Sequence, residues 1–352
     1  MDKERAKAFM STMIETINAG SIAMMMSIGH RTGLFDVMAG KGHLTSAELA
    51  TAASLDERYV REWLAAMASG GIVDFDAHAE TFELPIEHQA LVTRAGGQMN
   101  LAANMQNISL LGSVEDDIVE AFITGAGVPY SRYPGFQGLM AEVSAARFDA
   151  ALITEMLPLI PGVVDALNNG ATLADVGCGS GHAVLLMAKA FPNSTFVGID
   201  FSDDGLEAAR LSADAIGLSN VTFIGIDASQ MDFEDSYDFI TSFDAIHDQA
   251  QPEQVLKNIR RALVPGGYYL CAEPRAHTRL EDNMTEPMAP YQYTISTMHC
   301  MSVSIAGGGE GLGTCWGATM TEEYLSDAGL THIETTNIKA DRANTYFLSQ
   351  KP

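Results

Sequence analysis

Apolar residues recur at near-helical spacing through the first stretch of the chain: Ile14, Ile17, Ile22, Met25, Met26 and Ile28. That spacing predicts a helix, and Gly33 punctuates its end. The run Met24-Met25-Met26 is read as core or subunit interface, because methionine fills irregular apolar gaps. Thr45, with Glu48 three residues on, forms a capping box that opens a second helix. Ser54-Leu55-Asp56 turns the chain, and Tyr59 to Met67 makes a third helix, stopped by Gly70-Gly71. Ile72 to Phe75 and Thr81 to Leu84 then form a short hairpin.

Residues 96 to about 170 read as mostly helical, broken by a loop dense in turn formers and aromatics, Gly127 to Phe136. Beyond it, short apolar strands alternate with helices. Strands are expected at 172–176, 195–200, 221–226, 237–242, 268–272, 331–338 and 344–349, and helices at 182–191, 203–216, 252–263 and 321–328. Such alternation builds a parallel sheet. The last two strands, joined by a short loop, should pair antiparallel. A long insertion, 274–318, precedes the last helix.

One stretch on this pattern carries chemistry. Asp175-Val176-Gly177-Cys178-Gly179-Ser180-Gly181 lies on a strand-to-helix turn. Glycine there lets a ligand approach the backbone, and the following helix offers free N–H groups. The next strand ends in Asp200, suited to ribose hydroxyls, and the third ends in Asp227-Ala228, where an adenine amine could be held. Polar groups at successive carboxyl ends of strands mark a nucleotide crevice.

These residues resemble the class I S-adenosylmethionine (SAM) dependent methyltransferases, whose loop is G-x-G-x-G. The resemblance implies an α/β fold with a Rossmann-like seven-stranded sheet and SAM as cofactor. It assigns cofactor contacts to Asp175, Gly177, Gly179, Gly181, Asp200, Phe201, Asp227, Ala228 and Phe243. The N-terminal helices and hairpin resemble a winged helix, which in small-molecule methyltransferases is a dimerisation domain. The expected division is 1–95 winged helix, 96–165 helical connector and pocket cover, and 166–352 catalytic domain.

Charge narrows the partners. The 352 residues hold 20 Lys and Arg against 45 Asp and Glu, a net charge of −25. Residues 1–100 hold eight cations against thirteen acids. A DNA-reading helix needs cations toward phosphates, so no nucleic-acid partner is expected. The rival reading, a SAM-responsive winged-helix regulator, meets the same objection. No apolar run of membrane length is present, so no membrane partner is expected. The cysteines Cys178, Cys271, Cys300 and Cys315 include no Cys-x-x-Cys pair, which argues against a disulfide framework or zinc site. The implied setting is cytoplasmic, and the implied assembly a homodimer.

Phe243-Asp244-Ala245-Ile246-His247-Asp248-Gln249 follows the fourth strand of the sheet. His247 titrates near neutrality and could deprotonate an acceptor. Asp248 could orient it or bind an acceptor amine. The stretch is similar to the small-molecule O-methyltransferases, whose matching His-Asp pair carries the base, although Gln249 stands where they usually have Trp. The alternative is that His247 and Asp248 only cap the next helix. Phe243 is expected to be a wall beside the sulfonium. Tyr130, Tyr133, Tyr291, Tyr293, His299 and Trp316 are expected to shape the acceptor pocket. Ser302 to Ala306 reads as an alternating stretch, and the glycine-rich run Gly307 to Gly313 as the hinge of a substrate lid. An anionic acceptor would call for one of Arg132, Arg275 or Arg279.

Overall fold

A computed structural model describes all residues, Met1–Pro352. The chain divides into two compact units, Met1–Gly112 and Ser113–Pro352. The helical stretch between the winged region and the sheet is shared between them.

In the first unit a helix runs from Lys3 to Thr32. Asp2 caps it by accepting from the Glu4 and Arg5 amides, and Gly33 ends it at φ 74°. Its apolar residues divide by position. Met26 is buried, Ile22 and Met25 are partly buried, and Ile14, Ile17 and Ile28 are exposed. The buried end packs on the helix Glu57–Ser69, where Trp63 donates its indole N–H to the Met25 carbonyl at 2.9 Å and meets Phe35 edge-on. Thr45 and Glu48 form the expected capping box. Strands β1 (Asp74–Asp76) and β2 (Thr81–Glu83) pair antiparallel as the wing.

The second unit is built on a sheet of β3 (Thr172–Val176), β4 (Thr195–Asp200), β5 (Val221–Gly225), β6 (Tyr237–Phe243), β7 (Leu263–Pro274), β8 (Thr331–Ile338) and β9 (Asp341–Gln350). Its order is β5-β4-β3-β6-β7-β9-β8. β3 to β7 run parallel, and β9 is antiparallel to both β7 and β8. Successive residues serve opposite faces. Leu173, Phe239, Leu270 and Leu348 enter one core, while Ala174, Ile240, Cys271 and Phe347 enter the other. Burial on both faces explains why the strands read as short apolar runs. β3, β4, β5 and β6 all end on one edge, where the glycine loop, Asp200, Asp227 and the turn after Phe243 emerge. No single helix is long and apolar enough to cross a membrane.

The insertion departs from the expected pattern. It is helical: Ala289–Ile295, a π turn Ser296–Cys300, then Met301–Ala306. The alternating Ser302-Val303-Ser304 is a helix because its hydroxyls find partners inside the protein. The Val128 amide donates to Ser302 Oγ at 2.8 Å, and Ser304 Oγ donates to the Gln249 carbonyl at 2.8 Å. Within the glycine run Gly309 and Gly313 are closely packed, while Gly308 stands open at φ 76°. The Gly313 amide donates to the His247 carbonyl. A Cβ on Gly309 would lie 2.4 Å from Ala250 Cα, and one on Gly313 would lie 2.1 Å from Ser296 Oγ. These glycines admit neighbouring groups at close range.

Candidate active site

The glycine loop leaves β3 with Gly177, Gly179 and Gly181 all at positive φ, at 77°, 53° and 75°. A Cβ on Gly177 would lie 2.4 Å from Ala245 Cβ, and one on Gly181 would lie 2.7 Å from Phe223. Gly179 is open by contrast, with Gln137 Oε1 nearest at 3.6 Å. Asp200 holds this open corner, since Oδ2 accepts the Gly179 amide and Oδ1 the Ser202 amide, each at 2.8 Å. Burial raises the Asp200 carboxyl above its ordinary value. Asp227 is exposed and accepts the Ser229 amide, and Ala228 beside it is buried. Glycines with room at one corner, an acid beside them and a second acid one strand over fit SAM. Asp175 lies deeper. It is buried, accepts from Thr241 Oγ1 at 2.7 Å, and is pushed up to about 7 by burial. It braces the loop from beneath.

The turn after β6 faces this loop. The Ile246 amide donates to Glu273 Oε1 at 3.0 Å, and Glu273 Oε2 lies 2.6 Å from His247 Nδ1. Both side chains are buried. Burial alone would lower the imidazole, but the Glu273 carboxylate outweighs it, with help from Cys300, and holds His247 well above its ordinary range. Asp248 accepts the Tyr130 hydroxyl proton and is pushed up to about 6 by burial.

An aromatic cluster closes over these groups. His299 stacks on Phe136 with ring centres 4.0 Å apart, and Tyr133 and Tyr130 meet it edge-on at 4.8 and 5.3 Å. The Tyr130 ring also lies 5.3 Å from that of Phe201, so it spans the cofactor and base sides. Tyr133 donates to the Met298 carbonyl. Burial, then the neighbouring His247, pushes His299 down to about 3, so its ring is neutral. Its Nε2 is buried without a hydrogen-bond partner.

The expected site residues therefore divide. His247, Asp248, Tyr130, Tyr133, His299 and Phe201 come together. Phe243 lies in the core against Phe148, ring centres 5.1 Å apart. Trp316 is buried in the other core, edge-on to Tyr324. Tyr291 is partly buried on the helix Ala289–Ile295, and Tyr293 on the same helix accepts from Asn283. Arg132 pairs with Asp117 and Arg279 with Glu281, both exposed. Neither Glu273 nor Gln137 is singled out in the sequence, and Phe136 is named there only as the end of the aromatic loop. A lone acid in the apolar strand Leu270-Cys271-Ala272-Glu273 was the available signal for the first.

The sheet order, the glycine loop and the acids at the strand ends define a class I methyltransferase fold, preceded by a winged helix. Residues 167–329 match the family model "Methyltransferase domain", and residues 20–94 match "Rv2258c-like winged HTH domain". Over 107 residues the chain is 30% identical to a fatty-acid O-methyltransferase of Mycolicibacterium smegmatis, covering 30% of this chain and 38% of that protein. The chain spans less than half the length of this relative. Among solved structures, a candidate O-methyltransferase of Nostoc punctiforme superposes with a TM-score of 0.74 at 18% identity, covering 97% of this chain and 98% of that one. Human N-acetylserotonin methyltransferase, solved with SAM, gives 0.70 at 14% identity, covering 97% of each chain.

Proposed function

We propose that this chain transfers the methyl group of SAM to a small-molecule acceptor, with a hydroxyl oxygen favoured over nitrogen or sulfur. The observation that carries this reading is the buried His247–Glu273 pair beside the glycine loop. A thioether acceptor would need no base, whereas a hydroxyl must lose its proton.

SAM would be held by Gly177, Gly179, Gly181, Asp200 and Asp227, and supplies an electrophilic methyl carbon. Glu273 fixes the His247 ring through Nδ1, leaving Nε2 to take the acceptor proton. The charge that develops on the imidazole is balanced by the same carboxylate. Tyr130, Tyr133, Phe136 and His299 enclose the acceptor and exclude water. Alignment of the two reactants supplies up to about 7–11 kcal/mol, and an aligned base adds roughly 10²–10⁴-fold.

The assembly proposed is a homodimer formed through the Lys3–Thr32 helix. Met10, Ile14, Ile17, Ser21, Met24 and Ile28 follow one another at alternating spacings of four and three and are all exposed. That is the spacing of a two-helix seam, and a second copy of this chain supplies the matching stripe. A nucleic-acid partner is not proposed, because Arg58 and Arg61 on the helix Glu57–Ser69 pair with Glu62 and Glu57 of the same helix. The four cysteines are free thiols, which suits a reducing, cytoplasmic setting.

The test is a product search. Purified protein is incubated with SAM labelled in its methyl group and a metabolite extract, and labelled products are sought by mass spectrometry. A labelled small molecule that is lost with His247→Ala supports the reading. Tight SAM binding with no labelled product, together with tight DNA binding in a gel shift, would replace it with the regulator.

A further inference from the structure

The helix Phe136–Ala151 touches the site at both of its ends. Phe136 at its start stacks on His299, and Gln137 faces Gly179 of the cofactor loop. Near its end, Arg147 reaches across to two acids on other elements. Its Nη2 donates to Asp244 Oδ2 at 2.8 Å, and its Nη1 to Asp341 Oδ2 at 3.4 Å. Asp341 is buried and also accepts from the Tyr346 hydroxyl and the Ala343 amide. The other Asp244 oxygen accepts Asn344 Nδ2 at 2.7 Å. The guanidinium caps the Phe148 ring at 4.9 Å.

Asp244 is not an ordinary partner. It is a non-glycine residue at φ 54°, a conformation that persists only where the surroundings over-determine it. Its amide donates to the Ala272 carbonyl, and its side chain is held by Arg147 and Asn344. This left-handed step puts Ala245 against Gly177 and, two residues later, His247 against Glu273. The turn that carries His247 therefore starts at the residue Arg147 grips.

We propose that Arg147 is a positioning residue that ties the turn carrying His247 to the helix over the cofactor loop, so that cofactor binding and His247 placement are one event. The inference takes His247 as the base from the function proposed above, but the link itself is physical and is measured without an acceptor. Lysine at 147 keeps the charge but loses the planar fork that spans two carboxylates.

The test uses the full chain labelled with ¹⁵N-histidine, titrated with S-adenosylhomocysteine. Wild type should show a shift of the His247 ring nitrogens on ligand binding. Arg147→Lys should bind the ligand about tenfold more weakly, and the His247 shift should vanish or fall well behind ligand occupancy. Asp341→Asn keeps Arg147 and its grip on Asp244, so it should retain the His247 shift and show that loss of general stability does not mimic the effect. Thermal melting of each variant confirms that it is folded. An Arg147→Lys protein with wild-type affinity and a wild-type His247 response overturns the proposal, as does a wild-type His247 that ignores the ligand. A base reading that failed would show separately, as full methyl transfer by His247→Ala.

Discussion

One carboxylate does two jobs at the edge of the sheet. Glu273 Oε2 lies 2.6 Å from His247 Nδ1, while Oε1 accepts the Ile246 amide at 3.0 Å. The group that orients the imidazole also fixes the backbone that delivers it.

Glu273→Gln should separate these jobs. Glu273 holds the His247 value up, so the neutral imidazole needed to take a proton grows as pH rises through that raised value. Gln keeps an oxygen for the Ile246 amide but removes the charge. The rising limb of the kcat profile should move to lower pH, and the plateau should fall by roughly 10²-fold or more. A limb that stays in place would remove His247 as the titrating base.

Gly177→Ala should cripple the cofactor loop for two additive reasons. The residue sits at φ 77°, and the new methyl meets Ala245 Cβ at 2.4 Å. The backbone part alone costs about 1–2 kcal/mol. In an Ala245→Gly background the clash is relieved and the backbone cost remains, so urea denaturation should show partial recovery. Equal losses in both backgrounds would contradict the contact.

Asp248 should lower stability as it ionises. Burial pushes its folded value from 3.8 up to about 6. Its contribution is therefore fully present below the ordinary value and is lost as pH rises through about 6. Asp248 is partly exposed, so the loss is on the order of 1–2 kcal/mol after screening. Asp248→Asn should be more stable than wild type at pH 7, and the gap should close by pH 4. A gap independent of pH would argue against this account.

Ile14→Glu with Ile17→Glu should yield a monomer. Both residues lie on the exposed stripe of the Lys3–Thr32 helix, and like charges facing each other across a two-helix seam repel. Sedimentation velocity reads the change directly. Since neither residue is buried within the chain, the melting temperature of the monomer would report only the lost association.

The strands β3 to β6 were legible as short, mostly apolar segments between turns, whereas β8, Thr331–Ile338, is largely polar and exposed and was legible only from its place before the last strand. The capping box at Thr45 and Glu48 was legible because its chemistry is local. The His247–Glu273 pair was not, since the sheet joins residues far apart in sequence at the ends of β6 and β7. Arg147 was hidden in the same way, inside a helix whose own pattern gives no sign of where that side chain goes. The insertion misled for another reason. Alternating serines imitate a half-exposed strand, but Ser302 and Ser304 are buried with internal partners. Phe243 was expected in the site from its place after the fourth strand and from the resemblance, and Trp316 from its place after the glycine run; both side chains are buried in cores.

The insertion is stitched to the rest of the second unit by backbone groups on both sides of the acceptor cluster. Gly313 holds the His247 carbonyl, Ser304 the Gln249 carbonyl, and Ser302 the Val128 amide. A Cβ on Gly127 would fall 2.0 Å from the Ser302 carbonyl oxygen. A graft that exchanged residues 274–318 alone would sever all of these joints at once. For anyone building chimeras to change the acceptor, the transplantable module is three separate segments: the insertion, the turn through Ala250, and the loop that begins at Gly127.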